Sequence, residues 1–195
     1  MRRSATVRQR EIVDVALQMA GVAGAGALST TALARSIGIS QPAIFRHFPT
    51  KAALWEGIAD TLAEEMVARW QPALTLALPA AARLRALAEA QLGFIALRPA
   101  VLDIVFSRQL HHENPALKGL FQRLMTRLMA QVEALVTEAA PKLAPGRARD
   151  LALILGGTIQ ATALRWSLND KGFDLVAEGL RLIDLQIAQL DRGGF

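Results

Sequence analysis

Between Ser29 and Lys51 the chain reads STTALARSIGISQPAIFRHFPTK, and its starts and stops leave little conformational freedom. Ser29, Thr30 and Thr31 supply hydroxyl groups that can cap the orphan N–H groups of a helix start. Leu33, Ala34 and Ile37 follow at helical spacing. Gly38 then breaks the pattern, and glycine takes the left-handed conformation that ends a helix sharply. Ser40 can cap a second helix, with Pro42 tolerated in the first turn because that N–H has no intrahelical partner. Pro49 ends this helix. Two short helices across a tight glycine turn form a helix-turn-helix, whose second helix enters the DNA major groove.

On the second helix, Ile44 and Phe48 lie four apart and face the core. Gln41, Ala43, Arg46 and His47 then point outward, and Gln and Arg suit the reading of base edges. An ordinary surface helix with the same residues is the plainer alternative, and charge placement bears on the choice. Residues 1–55 hold seven basic residues (Arg2, Arg3, Arg8, Arg10, Arg35, Arg46 and Lys51) against two acids, Glu11 and Asp14. That surplus of five equals the formal net charge of the whole chain, +5, so residues 56–195 are balanced. Such asymmetry is the electrostatic footprint of a nucleic-acid-binding end.

The run from Thr30 through Gly38 and on through Ile39-Ser40-Gln41-Pro42-Ala43-Ile44-Phe45-Arg46-His47-Phe48, with Lys51 and Leu54, resembles the DNA-binding signature of the tetracycline-repressor (TetR) family. Phe45 stands where that family usually has tyrosine, which removes a hydroxyl contact to DNA. Ile37 replaces a commoner small residue before the glycine. The motif covers about a quarter of the chain; the remainder resembles the family in length and helical character. The resemblance implies that Gln41, Pro42 and Phe45 meet bases, and that His47 and Lys51 meet the backbone. From their placement, Ser29, Thr30, Thr31, Ser40, Ala43 and Arg46 complete the DNA-binding set, with Arg46 beside Gln41 and Pro42 in base readout. The resemblance also implies a repressor that dimerises through a four-helix interface.

The chain lacks cysteine, which excludes a disulfide framework and a thiolate metal site. No run of about 18 apolar residues suggests a membrane span. The basic start has no apolar signal core behind it, so a cytoplasmic protein is expected. Arg2 to Arg10 reads as a polar arm, either for phosphate or minor-groove contact or as a frayed terminus. A first helix carries Ile12, Val15, Ala16 and Met19 on one face, and Gly21, Gly24 and Gly26 close it with a flexible connection. From Lys51 a further helix repeats Leu54, Ile58, Leu62 and Met66 and runs to Trp70, breaking at Pro72. It would link a reading head to the rest, with Lys51 placed to reach a phosphate.

The segment from Pro79 to about Gly172 is apolar and helical. Helices are expected near 80–97, 100–110 and 116–140, with a loop at His111-His112-Glu113-Asn114-Pro115. Those two histidines and Glu113 could suggest metal, but adjacent residues diverge, and a loop or capping role is the simpler reading. No metal and no cofactor is therefore assigned. Trp70, Phe94, Phe106, His111, Phe121 and Met125 fit either a core or a pocket for a largely apolar effector. Arg108, His111 and His112 would be its polar handles. The last two helices, near 147–168 and 174–190, carry Val176, Leu180, Ile183, Ile187 and Leu190 at spacings of four, three, four and three. With Gly156, Gly157 and Ile159 on the preceding helix, these residues suggest a homodimer interface; closure of the monomer core is the alternative.

No phosphate loop, cysteine nucleophile or carboxylate pair supports catalysis. The expected fold is all-α, with a three-helix DNA-binding head over 1–55 and a ligand-binding and dimerisation body over 56–195. The expected function is a ligand-responsive regulator that binds a palindromic operator in double-stranded DNA as a homodimer and leaves it when a small molecule enters the body. A DNA-binding dimer without effector, and a helical enzyme or carrier, are the alternatives.

Overall fold

The computed structural model describes residues 5–191, apart from the side chain of Asp191. Their regular structure is helical throughout, with no strand among the described residues. The helices are α1 (Ala5–Ala23), α2 (Thr30–Ile37), α3 (Gln41–His47), α4 (Lys51–Thr75), α5 (Ala80–Leu97), α6 (Ala100–Phe106), α7 (Arg108–Glu113), α8 (Pro115–Ala139), α9 (Arg147–Leu168) and α10 (Leu175–Asp191). The chain divides into two compact units. One holds the residues up to Glu64 together with Arg98–Gln122; the other holds Glu65–Leu97 and the residues from Arg123 onward. Thus α6, α7 and the start of α8 belong to the same compact unit as the head.

In the first unit α1 buries Ile12, Val13, Ala16, Leu17 and Ala20 against α2, α3 and α6. Of the expected polar arm, Arg2 and Arg3 lie outside the described residues. From Ala5 onward the segment is already helix rather than arm, and Arg8 Nη1 pairs with Glu11 Oε2 at 2.8 Å one turn on. The glycine-rich connection contains a 3-10 turn, Ala25–Ala27, whose Ala25 is buried.

Three sequence-based boundaries differ from the structure. The helix from Lys51 does not break at Pro72 but continues to Thr75. Proline removes one helical N–H, and Thr75 Oγ1 donates to the carbonyls of Gln71 and Pro72 at 3.0 and 3.2 Å in the last turn. The expected 100–110 helix is two helices, because Ser107 is extended and its Oγ accepts from Leu110 N at 3.1 Å, starting α7 afresh. His111, His112 and Glu113 therefore form the last turn of α7 instead of a loop.

In the second unit α10 packs on α5 and α9. Asp174 caps α10, its Oδ1 accepting from Val176 N and Ala177 N at 2.9 and 3.0 Å. The bounds of α5 and α9 coincide with those read from sequence.

Candidate nucleic-acid interface

Local chemistry builds the head as the sequence suggests. Ser29 is extended and its Oγ accepts from Ala32 N at 3.1 Å, capping α2. Gly38 closes that helix in the left-handed region at φ 75°, its N–H reaching the carbonyls of Ala34 and Arg35. Any side chain there would be strained, so glycine fixes the turn between α2 and α3. Ser40 departs from expectation: it precedes α3 in extended conformation, yet its side chain makes no capping bond. The reason is local. Pro42 has no N–H to offer, and Ala43 N already bonds the Ser40 carbonyl at 2.9 Å.

Ile44 and Phe48 are buried, holding α3 down. Ala43 is buried too, which corrects its expected outward placement. Because α3 lies against both α1 and α2, its buried arc is wider than one stripe. The outward face is Gln41, Pro42, Phe45 and Arg46, with His47 half-buried. Phe45 presents an exposed ring with no hydroxyl. Around this face, Ser29, Thr31, Ser40 and Lys51 are exposed and Thr30 is half-buried.

Three contacts that sequence did not reveal fasten α3. Gln9 Nε2, on α1, donates to the His47 carbonyl at the far end of α3 at 3.1 Å. Gln41 Nε2 donates to Thr30 Oγ1 at 2.8 Å, joining the first residue of α3 to the first of α2. Phe48 seats against Gly57 of α4 so closely that a Cβ there would lie 2.7 Å from its Cε1. The first two link residues 38 and 11 apart, and no periodicity signals either. The head is also tied to α6. Arg98 Nη2 meets Asp14 Oδ1 at 3.1 Å, and Gly21 of α1 approaches Ala100 of α6.

The six residues expected to line an effector pocket are dispersed. His111 and Phe121 come together in the first unit, their rings stacked with centroids 6.5 Å apart. Phe106, in the same unit, is 53 % exposed and so lines no core. Trp70, Phe94 and Met125 belong to the second unit. Trp70 is buried with its Nε1 bonded to Gln91 Oε1 at 2.8 Å, while Phe94 is fully buried and Met125 half-buried. Trp55 Nε1 and His111 Nε2 are buried polar atoms without a hydrogen-bond partner, both in the first unit. Glu113 is engaged by Gln109 Nε2 at 2.8 Å, and no cluster of three metal-ligating side chains occurs among the described residues.

The expected interface stripe needs correction. Leu180, Ile183, Ile187 and Leu190 are buried within the single chain, where α10 packs on α5 and α9. Val176 is half-buried, and Gly156 is closed off by Met129, whose Cε and Sδ would lie 3.0 Å from a Cβ there. An apolar stripe reports that a helix has a partner, and here the partner is internal. Ile159 is half-buried. What remains outward is a different set: Leu153, Gly157, Ala161, Leu164 and Leu168 of α9, spaced by four, four, three and four, and Leu185 of α10. Near its end, Arg165 Nη2 and Arg181 Nε meet Glu178 at 2.7 and 3.0 Å. The bonds from Arg181, and then from Arg165, lower the Glu178 carboxyl from 4.5 to about 2. The same pairing raises the Arg181 guanidinium above its ordinary value.

No helix among the described residues is long and apolar enough to cross a membrane. Residues 12–58 match the model of the bacterial regulatory proteins, tetR family. The chain is 28% identical over 169 residues to the nucleoid occlusion factor SlmA of Vibrio campbellii, covering 85% of this chain and 86% of that protein. The fold is similar to that of a TetR-like transcriptional regulator from Rhodococcus sp. RHA1, with a TM-score of 0.79 at 21% identity over 96% of this chain and 97% of the other. It is similar also to the transcriptional regulator FadR from Bacillus subtilis, solved in complex with stearoyl-CoA, with a TM-score of 0.75 at 18% identity over 95% and 98% of the two chains. The helix-turn-helix of α2 and α3 lies within the residues that match the tetR-family model, and the all-helical fold around it is shared with the solved TetR-like regulator.

Proposed function

We propose that the protein is a ligand-responsive repressor that binds a palindromic operator as a homodimer and is released by a small, largely apolar molecule. The observation that carries the DNA-binding part is the outward face of α3. Gln41, Pro42, Phe45 and Arg46 are presented together while Ala43, Ile44 and Phe48 hold the helix down. Gln41, Pro42, Phe45 and Arg46 meet base edges; Ser29, Thr31, His47 and Lys51 position the head on phosphates. Thr30, Ser40 and the buried Ala43 support that face. The protein acts in the cytoplasm, on chromosomal DNA.

Two heads must sit about one helical turn apart to read a palindrome, so a dimer is needed. The exposed leucines of α9 and α10 support an interface built from the outward faces of these helices, two from each protomer. The effector reading is supported by the stacked His111 and Phe121 and by the unpartnered Nε1 of Trp55 and Nε2 of His111. A buried polar group without a partner costs about 1–3 kcal/mol, which an effector oxygen would relieve. These groups share a compact unit with the head, and Arg98–Asp14 with the α1–α6 packing gives a direct mechanical route to α1. The effector acts only through its difference in affinity between the DNA-bound and released forms. The complex of FadR with stearoyl-CoA supports a long-chain acyl compound as the first effector class to try.

The similarity to a nucleoid occlusion factor favours a second reading, a DNA-binding dimer whose body serves a protein partner and no small molecule. Selection of bound genomic fragments tests DNA recognition, and titration of acyl compounds into the complex separates the two readings. Release by an acyl compound supports the first; binding that no compound alters supports the second.

A further inference from the structure

Gln41 has three side-chain torsions, and an exposed glutamine ordinarily loses that freedom on binding DNA. Here the freedom is already restricted: its amide nitrogen donates to Thr30 Oγ1 at 2.8 Å across the turn. Thr30 is held in turn, as the first residue of a helix capped by Ser29 at one end and closed by Gly38 at the other. The bond therefore joins two rigid helix starts. An amide has two N–H donors and one carbonyl acceptor, and a hydroxyl has one donor and two acceptor sites. With one N–H committed to Thr30, Gln41 keeps one N–H and its carbonyl oxygen. Thr30, accepting that bond, keeps its own O–H for a phosphate oxygen.

That remaining pair of groups has a definite complement. In the major groove adenine offers the N7 acceptor beside the N6–H donor, whereas guanine offers two acceptors, N7 and O6. One donor and one acceptor match adenine; two donors would be needed for guanine, and the second is occupied. We propose that Thr30 is the positioning residue for Gln41, fixing its amide so that it reads adenine in preference to guanine. The inference rests on the DNA-binding reading above and deepens it. It also makes one hydroxyl serve both the phosphate contact and the orientation of the base reader.

The test uses the full-length protein and the DNA fragments it selects, with every base pair of the site substituted in turn and random duplex of equal length as reference, at one salt concentration. The variants are Thr30→Val, which keeps the shape and loses the hydroxyl, Thr30→Ser, which restores it, and Gln41→Ala, alone and combined with Thr30→Val. Thermal melting checks that each is folded. The base pair at which Gln41→Ala abolishes discrimination should be A·T. A bidentate contact discriminates by roughly fivefold to over a hundredfold, and Thr30→Val should lower the adenine-over-guanine ratio there by about fivefold or more. Thr30→Ser should restore that ratio, and Thr30→Val should not change base preference when Gln41 is already alanine. Equal weakening of selected and random DNA by Thr30→Val, with the preference intact, would reduce Thr30 to a phosphate contact and overturn this inference alone. So would a guanine at the Gln41-dependent position, or no base pair that depends on Gln41. A wild-type protein that enriches no sequence would end the inference and the underlying DNA-binding reading together.

Discussion

Glutamate at position 164 should separate the subunits without unfolding them, while glutamate at position 183 should unfold the chain. Leu164 is 54 % exposed in the single chain and lies on the outward stripe of α9; Ile183 is 1 % exposed on the inner face of α10. Full burial of a leucine is worth about 1.5–3 kcal/mol, so covering the exposed half of Leu164 contributes about 1 kcal/mol per protomer. A two-fold interface places every substitution twice. Loss of both leucines removes about 2 kcal/mol, and two carboxylates buried without partners cost several kcal/mol more. The dimer dissociation constant should therefore rise by roughly a thousandfold or more, at about 1.4 kcal/mol per decade. Ile183→Glu instead puts an unpaired charge inside one chain at about 3–5 kcal/mol and forfeits about 1.5–3 kcal/mol of isoleucine burial, together comparable to a total stability of about 5–15 kcal/mol. Sedimentation velocity over a concentration series, with a thermal melt of the same samples, reads both effects. Leu164→Glu should sediment as a monomer with a melt no lower than that of the dissociated wild type. An unchanged dimer for Leu164→Glu, or a folded monomer for Ile183→Glu, would refute the assignment of the two faces.

Three further outcomes are expected. Trp70→Phe removes the donor to the buried Gln91 oxygen and should lower stability by about 1–3 kcal/mol, most of it recovered when Gln91→Leu is added, as chemical denaturation will show. The Glu178 carboxyl is lowered from 4.5 to about 2, so its pairing with Arg181 and Arg165 stabilises the fold fully above pH 4.5 and is lost as pH falls towards 2. Melting temperature should fall across that window in the wild type, and Glu178→Gln should flatten this part of the profile; an identical acid limb would contradict it. Lys51→Ala should weaken selected and random DNA alike and reduce the slope of log affinity against log salt by about 0.9, the contribution of one phosphate contact.

What the sequence made legible was set by chemistry within a few residues. Ser29 and Gly38 act where local rules place them, and these positions fix the helix-turn-helix. What was not legible was set by partners distant in the chain. The stripe through Ile183 was visible as apolar, but nothing local says that α5 and α9 of the same chain cover it. The outward residues of α9, Leu153 to Leu168, also repeat at helical spacing, but the more apolar α10 stripe overshadowed them. Ala43 is small enough to fit either face, and only its place beside α1 and α2 decides that it is buried. Trp70–Gln91, Gln9–His47 and Thr30–Gln41 are side-chain bonds across 21, 38 and 11 residues, which leave no periodic trace. Pro72 read as a stop, yet one missing N–H near a helix end is tolerated.

If the outward face of α3 reads DNA sequence, the protein must hold a selected genomic fragment far more tightly than random duplex. A specific reader gives a ratio of about 10³–10⁷ at physiological salt. Arg46 is exposed on that face, and Arg46→Ala should lower the ratio by roughly fivefold to a hundredfold, with the loss concentrated at one base pair and random-DNA affinity changed far less. A wild-type ratio near one, or an equal loss on selected and random DNA with Arg46→Ala, would show that this face of α3 does not read sequence.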